Sequence, residues 1–135
     1  MKRVFADANI FVRVLTQDDP DQERRAAQLI EDAEAGKLVL VTGPPVLFEV
    51  AWTLRRAYEL SRPQVLEAVR RILATPGLEL TDRALVDEAL RRASAAQQEF
   101  ADAYIAASVE ANGCGSLATF NREHFARLGV ALHSF

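Results

Sequence analysis

Short apolar segments alternate with longer stretches of helical periodicity, and this alternation narrows the fold more than any other feature of the chain. RVFA (3–6), LVLVT (38–42) and LEL (78–80) read as short buried strands, and SLATF (116–120) and VALH (130–133) continue the series. Between them the apolar spacing changes to three and four. Leu47, Val50, Ala51, Leu54 and Tyr58 form one such stripe, and Val65, Leu66, Val69, Ile72 and Leu73 form another. A helical segment follows Asp7 through Leu15. Asp19 or Pro20 opens a second helix that Gly36 stops after about Ala35, and Pro44 and Pro45 suit the first turn of a third. Helices from Asp82 or Ala84 to about Gln97, from Asp102 to Asn112, and from about Arg122 to Leu128 complete the pattern. Such alternation predicts an α/β layer fold with a mainly parallel central sheet of about five short strands flanked by helices. No repeat, low-complexity run or linker interrupts it, so a single domain over 1–135 is expected.

Half of the residues are hydrophobic, enough for a core without disulfide staples. Cys114 is the one cysteine, which excludes an internal disulfide and a cysteine-based metal site. There is no signal-peptide pattern and no uncharged apolar run of about 18 residues, so no membrane span and a cytoplasmic location are expected. A net charge of −3 argues against a generic basic coat for nucleic acid. It does not argue against a nucleic-acid substrate, because a bound cation reverses the local field at a carboxylate site. Only Lys2 and Lys37 of the sixteen basic residues are lysines, an arginine bias that suits bidentate phosphate contacts but that genome composition explains better.

Three lone acids stand at the edges of apolar segments: Asp7 in VFADANIFVRVL, Glu49 in PPVLFEVAWTL and Asp102 in FADAYIAASV. A carboxylate beside a core costs free energy unless something pairs with it. With no Lys or Arg close by in sequence to neutralise each of them, a divalent cation is the natural shared partner. Each acid also has a plainer explanation. Asp7 sits where a strand passes into a helix and suits an N-cap, although Asn9 is a second candidate for that task. Glu49 has Arg56 two turns further on as an ion-pair partner. Asp102 suits the acidic first turn of a helix, favoured by the dipole, yet it is the only charge between Glu99 and Glu110. Asn121 is placed to cap the short helix after it, and Thr119 to fill a strand. His124 and His133 have no ligand spacing with each other or with Cys114 and read as structural. Asp7 and Asn121 both fall just past strand ends, the face on which parallel sheets bind ligands.

Other chemistries lack their signatures. GxGxxG, GxxxxGK[ST] and GxSxG are all absent. DDPDQ lacks the glycine and closing Glu of a calcium loop. An Asp at the end of a first strand also begins haloacid-dehalogenase-type phosphatases, but those need a second Asp where this chain has Asn9, and a downstream Lys.

The segments FADANIFVRVLTQDDP, VLFEVAWTLRRAYELSR, FADAYIAA and ATFNREHFARLG, in this order and spacing, resemble the PIN-domain ribonucleases, and in particular the VapC-like toxins of type II toxin–antitoxin modules. The resemblance covers essentially the whole chain and implies a three-layer PIN-like fold. It implies that Asp7, Glu49 and Asp102 are the acids of a Mg²⁺- or Mn²⁺-dependent endoribonuclease site, with Asn9 supporting the first acid and Thr119 supplying a nearby hydroxyl. It further implies an RNA substrate, a cognate antitoxin and a homodimer. The chain departs from many relatives at Asn121, where they carry Asp. An amide oxygen ligates a metal or orients a water without contributing charge, and Glu123 is the nearest substitute. A catalytically weak PIN domain that binds RNA or protein is the alternative expectation.

Overall fold

β1 (Arg3–Phe5), β2 (Val39–Thr42) and β3 (Leu78–Leu80) form a parallel sheet in the order β1-β2-β3, with Val4 opposite Leu40 and Leu40 opposite Leu78. α1 (Ala8–Thr16) and α2 (Pro20–Glu34) link the first two strands, and α3 (Pro44–Arg56) and α4 (Arg62–Leu73) link the second and third. This computed structural model describes all 135 residues, which gather into two compact units, Met1–Asp82 and Arg83–Phe135. Strand order follows chain order in the first unit, so both crossovers advance the same way. Right-handed connections then place α1 to α4 on one face of the sheet. Side-chain alternation agrees: Leu40, Thr42 and Leu78 are buried, whereas Arg3, Phe5 and Glu79 on the alternate positions are exposed.

The expected stripes are the buried ones. Leu47, Val50, Ala51 and Leu54 of α3 lie inside, as do Val65, Leu66, Val69, Ile72 and Leu73 of α4. Tyr58 lies beyond the end of α3 and is half-buried, its hydroxyl donating to Asp18 Oδ2 at 2.6 Å. Local signals set the helix ends. Asp19 caps α2 by accepting from the Gln22 N–H at 3.1 Å. Ser61 and Gln64 form a reciprocal capping box on α4, an arrangement whose loss typically costs about 1 kcal/mol. Gly77 holds φ +79° where a Cβ would stand 2.2 Å from the Ala33 carbonyl oxygen, so the approach of α2 to the start of β3 requires glycine.

The second unit is α5 (Arg83–Ala96), α6 (Phe100–Ala111) and α7 (Arg122–Arg127). Val86, Ala89, Leu90 and Ala93 line one side of α5, and Phe100, Ala103, Ala106 and Ala107 line one side of α6. The five alanines among them let the two backbones approach closely. The segments expected as strands at 116–120 and 130–133 meet only in one isolated parallel bridge, Leu117 with Leu132. Leu117 N–H donates to Ala131 O, and His133 N–H donates to Leu117 O, each at 2.8 Å. Ser116, Ala118 and Phe120 are exposed, so the alternation of SLATF buries too little to extend a ladder. α6 starts at Phe100 rather than Asp102, which puts Asp102 inside its first turn. No helix is long and apolar enough to cross a membrane.

Candidate functional site

In the first unit the chain leaves β1 through Ala6, whose backbone is fixed on both sides. Its N–H donates to Val41 O at 2.8 Å, and its carbonyl accepts from the Thr42 hydroxyl at 3.1 Å. Thr42 is fully buried. Asp7 follows at once as the N-cap of α1, with Oδ1 accepting from the Ala8 N–H at 2.8 Å. Asn9 does not take that task. Asp7 therefore uses one carboxylate oxygen to start its helix and leaves the other without a protein partner, exposed. Asn9 borders a cavity of about 360 Å³ that Arg13, Gln22 and Arg25 also line. Arg13 is held there by Gln22 at 2.6 Å and by Asp18 at 3.5 Å.

Glu49 projects from α3 into solvent and pairs with no cation. The partner available in sequence is used otherwise, since the Arg56 guanidinium lies over the Trp52 ring, 5.7 Å from its centroid. Asp7 and Glu49 are thus two exposed carboxylates with free oxygens, carried on elements that a shared core holds.

In the second unit Asp102 occupies the first turn of α6, where the helix dipole favours a carboxylate, and its side chain is 25% exposed. His124 brings Nδ1 to 3.7 Å from Asp102 Oδ2. The same nitrogen lies 3.2 Å from Asn121 Nδ2. Asn121 occupies the N-cap position of α7 but its side chain caps nothing, contrary to the expectation from its place before a helix. Its own N–H donates to Thr119 Oγ1 at 3.0 Å. Asp102, Thr119, Asn121 and His124 are therefore one linked group. Glu123 pairs with Arg127 four residues on, both side chains being exposed.

His124 is the residue that sequence reasoning passed over. Its spacing of three from Asn121 placed both on one face of a short helix, but the contact with Asp102 is tertiary and has no signature in sequence.

The oxygens left free on Asp7, Glu49 and Asp102 are hard donors of the kind Mg²⁺ and Mn²⁺ take. No three His, Cys, Asp or Glu side chains are gathered at spacings that would enclose an ion. Mg²⁺ commonly takes only one or two carboxylates, with water and substrate oxygens completing its shell.

The PIN domain family model matches residues 4–131, and the chain belongs to that family. No curated protein matches it. Among solved structures it is similar to VapC20 of Mycobacterium tuberculosis, described as a sarcin-ricin loop cleaving toxin. Identity is 20%, the match covers 95% of this chain and 96% of that one, and the TM-score is 0.42.

Proposed function

We propose that this chain is a metal-dependent endoribonuclease of the VapC-like type, with residues 1–135 acting as one PIN domain. The observation that carries the proposal is family membership over 4–131, joined to free carboxylate oxygens at each of the three positions, Asp7, Glu49 and Asp102. Asp7 and Asp102 would hold a Mg²⁺ or Mn²⁺ ion, and Glu49 would ligate it or orient the attacking water. Such an ion, when bound, lowers the pKa of a coordinated water and neutralises charge at the reacting phosphate.

The remaining work falls to the protein. Glu49, unpaired and on a rigid helix, is suited to accept a hydrogen bond from the attacking water and so fix its direction of approach to phosphorus. The Ala8 N–H keeps one Asp7 oxygen in place, which leaves the second in a single orientation. Asn121 offers its amide oxygen to a water molecule or substrate hydroxyl, and Thr119 sets the backbone of Asn121. Arg13 and Arg25, on the cavity beside Asn9, are suited to the RNA backbone. A homodimer and a cognate antitoxin belong to the same proposal, with a basic antitoxin residue meeting the acidic group.

One observation favours a weaker relative of this function: Asn121 brings no charge, and Glu123 close by is paired with Arg127. A PIN domain that binds RNA without turnover is the second reading. Incubation of structured RNA with the purified protein separates the two. Cleavage is expected with Mn²⁺ or Mg²⁺, and is expected to vanish with EDTA and in Asp102→Asn. Full activity in Asp7→Asn or Asp102→Asn would overturn the assignment of the acids.

A further inference from the structure

We infer that the Phe120–Phe135 pair is a stacking platform for an unpaired base of single-stranded RNA, an inference that rests on the ribonuclease proposal for its substrate class. The pair is a product of register. Leu117 and Leu132 bridge in parallel, and Phe120 and Phe135 each stand three residues beyond the bridge. Equal offsets on parallel segments bring the two rings side by side. Their centroids are 4.8 Å apart with planes 17° from parallel, and the His133 ring meets Phe135 edge-on at 5.3 Å.

The stack is built yet uncovered. Phe120 is 89% exposed and Phe135 75%, the first being the most exposed large apolar side chain of the protein. Two large rings held against each other in water, with open outer surface, offer a flat π-face, and every base can stack on one whatever its identity. The charge beside the rings is also fixed. Arg122 Nη1 donates to the His133 carbonyl at 3.1 Å and to the Thr119 carbonyl at 3.5 Å. Its remaining N–H groups are available to a phosphate one linkage away from the stacked base. Phe120 directly precedes Asn121, so the platform adjoins the Asp102 group in the chain.

A protein partner matches the patch less well. Stable protein interfaces bury about 800 Å² on each side. Here two rings are bordered at once by Asn121, Arg122, His133 and Ser134, all exposed and polar. One base with its phosphate fits that area and that mixture of chemistry.

The test uses the protein in EDTA, which keeps the RNA intact. The probes are a fluorescein-labelled unstructured RNA oligonucleotide and a copy carrying 2-aminopurine, whose emission falls when it stacks. Wild-type protein is expected to bind the first and quench the second. Phe120→Ala is expected to weaken binding roughly five- to a hundredfold and to abolish quenching, and Phe120→Trp to retain both. Wild-type affinity in Phe120→Ala, or no quenching by the wild-type protein, would overturn the platform. So would a changed oligomeric state in Phe120→Ala by light scattering with RNA affinity intact, because the rings would then be a protein contact. Cleavage with Mn²⁺ is scored separately. Quenching without cleavage supports the platform and removes the nuclease, and cleavage without quenching removes the platform alone.

Discussion

One hydroxyl holds the backbone from which Asp7 projects. Thr42 is fully buried and donates to the carbonyl of Ala6, the residue immediately before the acid. Replacing it with valine keeps the shape and leaves that carbonyl without its side-chain partner. A loss of roughly 1–3 kcal/mol is expected, read as a lower urea midpoint, with Thr42→Ser recovering most of it. RNA cleavage is expected to fall further in Thr42→Val than in Thr42→Ser at temperatures where both are folded. At this scale the sequence was most informative where an acid was isolated by its own neighbours. Asp7 and Asp102 stand out as candidates because their flanks are apolar. His124 and the Phe120–Phe135 stack do not, because their partners are distant in sequence and only the tertiary structure brings them near. Asn121 had two readings, and the cap is not made. Its local position fitted a cap so well that a side chain turned toward His124 had no local cue.

Between elements, α5 and α6 are joined by charge as well as by alanine packing. Arg92 reaches Glu88 on its own helix and Glu110 on α6. Hydrogen bonds from Arg91 and then Arg92 hold the Glu88 carboxyl down to about 2, against an ordinary value of 4.5. The unfolded chain titrates this group near its ordinary value, so its contribution is complete above about 4.5 and disappears as pH falls toward 2. Protection of the α5 amides, corrected for the intrinsic exchange rate at each pH, is therefore expected to fall across that window, and less so in Glu88→Gln. Added salt should shrink the difference, because the group is near the surface. Equal pH dependence in wild type and variant would remove Glu88 from the account. Element boundaries in the first unit were legible because caps and breakers mark them: Asp19, Ser61, the prolines of α3 and Gly36. The last two strands were not, since alternation in SLATF and VALH is a pattern without a burial requirement behind it. What forms there is a single bridge, with two exposed rings beyond it.

For the whole molecule, the family match at 4–131 takes in residues of both units, as the order of the motifs along the chain implied. A ligand that binds only the folded state stabilises it by about 2.7 kcal/mol at a hundred times its Kd. Saturating Mn²⁺ is thus expected to raise the melting temperature, EDTA to reverse the rise, and Asp102→Asn to diminish it. An undiminished rise in that variant would place the ion elsewhere. Gly77 carries a different kind of consequence, one written in lineage rather than in a melting curve. Any side chain there would meet the Ala33 carbonyl within 2.2 Å, so a descendant that has lost this glycine must have moved the end of α2 as well. The two changes should be inherited together, and a gain or loss of residues between Glu34 and Val39 is the footprint by which such a descendant would be known.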